Sequence, residues 1–337
     1  MLRRRIIVLV SLVAVVSLAS CGKSSSKHAV SKTTTTVAPK IAPLTGLPDA
    51  SGASQKRSSL TVKIENTPEA RPQTGIDMAD VVYEEVVEGN ITRFATIFNS
   101  QSPDTVGPIR SVRGMDPNIV WPLGGVFAYS GGTQVNVQKI NGAPVLTIDE
   151  TKAGDAMFRK SGKAAPHNLF GYPDKMWAKN GNPGPVPPRP LFHYGKVGAF
   201  TGEAVTSFTA NFSRGYAPTY TWDAASKTWK RAIDAAPFMA SDGKQVAPTN
   251  VIVQFTSYPA VSEGETLGTG QAWIFSNGQV VKGTWNRTVK ENPTEFLAAN
   301  GSRIELTPGS TFVELLPNTA AVDVVSPPTT TAATTKP

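Results

Sequence analysis

The chain has 337 residues, 40% of them hydrophobic, with a formal net charge of +8 and a single cysteine. One cysteine excludes an internal disulfide framework. Eight of the 33 basic residues (Arg3, Arg4, Arg5, Lys23, Lys27, Lys32, Lys40 and Lys336) lie in the terminal segments, which leaves 25 against all 25 acidic residues between 41 and 325. The folded part is therefore neutral, and nucleic acid is excluded as a partner on electrostatic grounds.

The N-terminus reads as an export signal. Three arginines in Met1–Arg5 precede an apolar run, Ile6 to Ala19, that is short for a membrane span. The following "LASC", Leu18 to Cys21, resembles a bacterial lipobox. That resemblance implies a signal peptide over 1–20 and lipidation of Cys21, which would hold the protein to the lipid bilayer on the extracytoplasmic face of the cell membrane. Several acyl chains on one residue anchor stably, at ~0.8 kcal/mol per buried CH₂. Residues 21–42 are polar and of low complexity and read as a flexible tether, with a root-mean-square span of roughly 25 Å. The final stretch, 321–337, reads as a disordered tail.

Between these segments the elements fall into two groups. "LTVKIEN" (60–66), "DVVYEEVVEG" (80–89) and "ITRFATIFN" (91–99) are β-branched and aromatic runs, the last two joined by a hairpin at Gly89-Asn90. A short helix is expected within "RSVRGMDPNIVWPLGG", then a strand at "VFAYSGG" (126–132). A second short helix follows at "TQVNVQKIN" (133–141), closed by Gly142, and a strand at "APVLTIDE" (143–150). The proline-rich "GNPGPVPPRP" (181–190) continues neither element type. After it the pattern is strand and turn. Hairpins are expected at 220–231, at 271–285 on Asn277-Gly278 and at 302–317 on Pro308-Gly309, with a buried strand at 250–258. The predicted fold is α+β: an N-terminal mixed α/β domain over 43–185, then a smaller mainly-β domain over 191–320.

The segments "PLTGLP" (43–48), "ENTPEARPQTGIDMADVVYE" (65–84), "EGNITRFATIF" (88–98), "VGPIRSVR" (106–113), "PHNLF" (166–170) and "NGQVVKGTW" (277–285) together resemble the YerB-like bacterial lipoproteins. That family has an N-terminal and a C-terminal domain, both of unknown function. The resemblance implies two domains and a lipid anchor, and it names no reaction.

The catalytic signatures that can be recognised from spacing are absent: no H-E-x-x-H, no P-loop, no G-x-G-x-x-G opening a helix and no G-x-S-x-G. The spacing of His167 and His193 asks for no metal, and no cofactor is expected. What remains is a group of charged residues in the first half: Glu65, Glu84, Glu85 and Glu88 among Arg71, Arg93, Arg110 and Arg113. Alternation along "VVYEEVVEG" puts Glu84 and Glu88 on one sheet face and Glu85 on the other. One account is internal, with Arg93, Arg110 or Arg113 neutralising Glu84 or Glu85. The other is an anion site. Gly107-Pro108 sets a turn, and Arg110 and Arg113 would share a face if a helix starts there. "ARPQTGIDMADVV" with the later "GPIRSVR" also loosely resembles the LytR-Cps2A-Psr phosphotransferases, although the Asp that normally follows the later Arg is missing.

His167 and Asn168 sit in a loop, where an imidazole can serve either chemistry or loop closure. Trp222, Trp229, Trp273 and Trp285 could stack on sugar or fill the core. The expected site comprises Arg71, Arg93, Arg110, Arg113, Glu65, Glu84, Glu85, His167 and Asn168. The reading is a lipid-anchored protein that binds an anionic envelope ligand or partner. The alternatives are an enzyme acting on wall precursors or glycans, as phosphotransferase or hydrolase, and a purely structural or assembly lipoprotein.

Overall fold

The β-branched runs of the first half do form strands, and they organise everything near the charged residues. A computed structural model describes residues 40–179 and 186–328. The signal segment, Cys21, most of the tether and the end of the tail lie outside the described residues. The first half supplies β1 (Leu60–Glu65), β2 (Val81–Val86), β3 (Thr92–Phe98), β4 (Val126–Ala128), β5 (Leu146–Ile148), β6 (Met157–Arg159) and β7 (Leu169–Gly171). Its helices are α1 (Asp116–Val120), α2 (Gln134–Asn141), α3 (Glu150–Ala153) and α4 (Pro173–Ala178). From residue 186 onward the described chain is strand and turn. It contains β8 (Glu203–Ala204), β9 (Ser207–Ala210), β10 (Thr219–Asp223), β11 (Thr228–Ile233), β12 (Ala236–Pro237), β13 (Asn250–Thr256), β14 (Gly268–Ser276), β15 (Gln279–Arg287), β16 (Glu295–Ala298), β17 (Thr311–Pro317) and β18 (Val322–Val325). The class is α+β, mixed first and mainly β after.

Local chemistry explains the boundaries. The β2–β3 hairpin turns at Gly89 and Asn90, with φ of 75° and 57°, and β14–β15 turns at Asn277 and Gly278, with φ of 50° and 69°. Both central residues of the second turn are left-handed, as a tight turn matched to strand twist requires. Helix α2 is capped by the Thr133 side chain, which accepts from the Asn136 amide, and Gly142 follows its last turn.

The two expected domains share one sheet. Its strand order is β16-β15-β14-β13-β17-β2-β3-β1-β4-β5, with β8 added beside β15. The halves meet where β17 pairs parallel with β2, from Thr311 opposite Val81 to Glu314 opposite Glu84. The second sheet, β12-β11-β10-β9-β18, covers one face of the first. Val62, Phe94, Phe208, Trp229 and Phe275 are buried between them. Helix α1 packs on the opposite face with Met115 and Ile119, and α2 with Ile140. Covered on both sides, β1 is buried at all six positions.

Four details differ from the sequence reading, although the short helix expected within 110–125 is present as α1. Residues 108–113 form no helix; the first helix starts at Asp116. The turn at Pro308-Gly309 makes no hairpin, because both edges of β17 are taken by parallel partners, β13 and β2. The order does not end at 320, since Val322–Val325 completes the second sheet against β9. At the other end Ala42, placed within the tether, is already buried.

Candidate functional site

Strands β1 and β4 run parallel but pair only as far as Val62 opposite Ala128. Beyond that point their carboxyl ends separate, and the extended segment 108–112 lies between them. It is tied to β1 by Glu65 N–H donating to Pro108 O (3.0 Å) and Arg110 N–H to Lys63 O (2.9 Å). On the β4 side, Ser130 N–H donates to Arg110 O (2.9 Å) and Val112 N–H to Gly131 O (3.0 Å). The segment enters through Gly107, where a side chain would strike Phe170 at 2.7 Å; only glycine fits.

This wedge gathers three arginines. Glu65, 1% exposed, lies 3.2 Å from Arg110 Nε through one oxygen and 2.9 Å from His167 Nδ1 through the other. Thr67 donates to the same carboxylate at 3.2 Å. Arg93 is opposite Glu65 in the β1–β3 register and donates to the Ser111 carbonyl at 2.9 Å. Arg113 donates to the Val112 carbonyl at 2.9 Å and to Ser111 O at 3.3 Å, and its Nε pairs with Glu88 at 2.7 Å. Arg93 and Arg113 thus converge on one carbonyl. Burial and then the charges of Arg113 and Arg110 push the Arg93 guanidinium down to about 10, so it stays charged at neutral pH. Arg110 and His167 keep 21% and 23% of their side-chain surface in solvent. The outer cluster therefore sets three guanidinium groups against two carboxylates.

Beneath it sits a closed ion cluster. The Lys63 ammonium contacts Glu85, and it reaches Asp116 at 2.8 Å; all three side chains are fully buried. Burial and the neighbouring Asp116 carboxylate raise Glu85 to about 7 against the pull of Lys63.

On the opposite face of the sheet, register places Glu84 of β2 beside Glu314 of β17. Arg231 of β11 reaches between them, with Nη2 2.6 Å from Glu84 and Nη1 2.7 Å from Glu314. Asn66 Nδ2 (3.0 Å) and the Thr92 hydroxyl (2.5 Å) also donate to Glu84. Arg231 donates to the hydroxyls of Tyr216 (2.8 Å) and Tyr220, and Tyr220 donates to Glu314. The rings of Phe94, Tyr220, Phe238 and Phe312 stand 5.2–5.7 Å from the guanidinium carbon. One cation cannot neutralise two carboxylates. Burial and the Glu84 charge push Glu314 well up; at Glu84 burial is outweighed by Arg231 together with hydrogen bonds from Glu314, Thr92 and Tyr216, which hold it below the ordinary carboxylate range. Glu314 keeps its proton and Glu84 carries the charge.

Two family models match the chain: the N-terminal domain of the proteins of unknown function DUF3048 over residues 44–185, and the C-terminal domain of the same family over 208–313. The chain belongs to the DUF3048 family. It is 26% identical over 297 residues to "Putative lipoprotein YerB" of Bacillus subtilis (strain 168), covering 84% of this chain and 88% of that protein. A crystal structure of the YerB protein from Bacillus subtilis superposes with a TM-score of 0.74 at 24% identity, over 84% of this chain and 99% of that one. That superposition establishes a shared fold.

Placed on the DUF3048 halves, the buried network is a joint between them: Glu84 lies in the first and Arg231 in the second. Of the residues expected at one site, Glu65, Arg93, Arg110, Arg113 and His167 come together. Glu85 sits one layer below, and Glu84 faces the other way. The expected ion pairing of Glu84 or Glu85 with Arg93, Arg110 or Arg113 is not made, because Arg231 and Lys63 hold those carboxylates and Arg110 pairs with Glu65; Arg93, opposite Glu85 in the β2–β3 register, acts on it only at longer range. Asn168 turns from His167 to accept from Arg159 at 2.8 Å. Arg71 lies across the sheet, donating to Asn66 O at 3.1 Å beside a cleft of about 450 Å³. Trp229 and Trp285 are core, while Trp222 and Trp273 are half-buried. Sequence reasoning missed Lys63, Arg231 and Glu314. Each is a charge inside a strand that is otherwise largely apolar, and that was the available signal. Among the described residues no three His, Cys, Asp or Glu side chains gather to hold a metal, and no helix is long and apolar enough to cross a membrane.

Proposed function

We propose that this DUF3048 protein is a lipoprotein held to the extracytoplasmic face of the membrane through Cys21, and that it binds an anionic component of the cell envelope. The anchor rests on "LASC" behind an apolar run and on similarity to a protein named as a lipoprotein. The binding reading rests on one observation: Arg93, Arg110 and Arg113 converge at the separated carboxyl ends of β1 and β4, where Glu65 and Glu88 are the ion-pair partners and Glu85, held by Lys63, acts on Arg93 at longer range. Crevices at the carboxyl ends of parallel strands are where α/β sheets take ligands, and guanidinium groups suit phosphate and carboxylate.

The test is a pair of measurements. Intact-mass analysis of the membrane fraction should find Cys21 lipidated, and the Cys21→Ala variant should lack the added mass. Denaturant melts of the soluble part with phosphorylated envelope lipids or anionic glycans should show ligand stabilisation that Arg113→Ala loses. An unmodified Cys21, or parent protein that no such ligand stabilises, overturns the corresponding half of the proposal.

Catalysis on the bound anion is a second reading, favoured by the Glu65–His167 contact. A buried carboxylate on Nδ1 orients the imidazole and would leave Nε2 as a base. It predicts turnover of a pyrophosphate or glycan that His167→Ala abolishes.

A further inference from the structure

The cleft beside Arg71 lies apart from the arginine cluster, and its floor is the outer side of the buried Glu84–Arg231 network. Its floor is polar: Asn66, Thr92 and Tyr216 line it, and each is more than nine-tenths buried. These side chains are fixed from behind. Asn66 Nδ2 donates to the Tyr216 hydroxyl (2.6 Å), to Thr92 Oγ1 (2.8 Å) and to Glu84 (3.0 Å), and Tyr216 also accepts from Arg231. Their positions are therefore set without a ligand, as a preorganised site requires.

The wall is cationic. Arg71 is held by the Asn66 carbonyl and lies 5.8 Å from the Tyr216 ring and 5.7 Å from the Phe238 ring. Its Nη1 has no hydrogen-bond partner among the described residues. Arg214 is exposed in the same lining, and Asp234 is the one acidic residue there. Asp234 and Ala235 turn with φ of 51° and 61°, a left-handed pair built without glycine at the cleft's rim. They are the two-residue turn of the β11–β12 hairpin, which needs that conformation at both positions. Residues 66–71 and 89–92 come from the first half, and 213–216 and 233–234 from the second.

We propose that this cleft is a second binding site, specific for a small acidic sugar: a hydroxylated ring bearing one carboxylate or phosphate. The volume of about 450 Å³ is in the range that suits a small ligand. The two arginines would take the anion, and Asn90 and Ser213 in the same lining would hydrogen-bond the hydroxyls. Because the cleft lies across the sheet from Arg93, Arg110 and Arg113, the proposal stands independently of the site above.

The experiment is a titration of the soluble part, followed by amide chemical shifts, with glucuronate, glucose 6-phosphate, glucose and inorganic phosphate. Glucuronate or glucose 6-phosphate should bind saturably at millimolar concentration, with shifts at 66–71, 89–92, 213–216 and 233–234 that saturate whether or not residues near Arg110 also respond. Arg71→Gln and the exposed Arg214→Gln should each weaken binding by roughly 10-fold or more, the loss expected when a charge-assisted hydrogen bond is removed. Arg303→Gln, at an exposed arginine outside both proposed sites, should bind as the parent does. The proposal is overturned if no probe binds the parent, if glucose or inorganic phosphate binds as well as the acidic sugars, or if Arg303→Gln weakens binding as much as Arg214→Gln does. Since Arg214 is exposed, a folding failure in Arg71→Gln leaves the Arg214→Gln result decisive.

Discussion

The two faces of the central sheet treat the same chemistry in opposite ways. On one, Arg231 is sealed among four aromatic rings, two tyrosine hydroxyls and two glutamates, with no exposed surface. On the other, Arg93, Arg110 and Arg113 gather where strands part, two of them keeping some surface in solvent. A guanidinium enclosed with its counter-charges serves cohesion, because removing it strands charge in a dry interior. A guanidinium at an opening, with too few counter-charges, remains free to take one from outside. The comparison shows why the number of arginines says little about function and the supply of carboxylates and solvent says much.

The strongest way to break the comparison is Arg231→Ala. It leaves Glu84 buried without a cation and should cost about 3–5 kcal/mol, measured by urea denaturation. Adding Glu84→Gln to that variant should recover part of the loss. A small effect of Arg231→Ala would mean that the joint is not held electrostatically.

Next in size is the effect of pH. Glu85 is raised from 4.5 to about 7 by burial and by Asp116, so the native state holds its proton more tightly than the unfolded chain does. The resulting stability is complete below the unfolded value and disappears as pH rises towards 7. The upward shift of Glu314 acts in the same direction at higher pH. Stability attributable to Glu85 should fall by on the order of 3 kcal/mol between pH 4.5 and 7. Glu85→Gln should flatten that part of the profile in calorimetric scans.

Smaller effects are expected at the open cluster. Arg110→Ala should cost about 1–2 kcal/mol, since Glu65 loses one partner but keeps His167 and Thr67. Arg113→Ala should cost under ~1 kcal/mol, because its partner Glu88 is largely in solvent. Chemical denaturation of both variants orders them, and the reverse order would place the structural burden on Arg113.

Much of this was legible in the sequence, for reasons that are local. Strand alternation put Glu84 and Glu85 on opposite faces, and turn chemistry located the hairpins at Gly89-Asn90 and Asn277-Gly278. Alternation misled at Glu88 because β2 ends at Val86; Glu88 lies in the turn and reaches Arg113. The helix expected behind Gly107-Pro108 is absent because backbone groups of 108–112 are spent on β1 and β4. Neighbours in sequence, His167 and Asn168, face different partners. Nothing local could pair Glu84 with Arg231, 147 residues away, since that contact is made by the packing of one sheet on another.

The parallel pairing of β2 with β17 carries a consequence for how the chain is made. The second edge of β2 has no partner until residues 311–317 exist, more than two hundred residues further along the chain. Long-range parallel pairing forms slowly, because loop-closure entropy must be overcome before the contacts form. Until then the first half presents an open, apolar strand edge, the kind of surface on which chains associate. Completion of the sheet therefore waits on residues 311–317, and the interval before they emerge is when this chain most needs a chaperone.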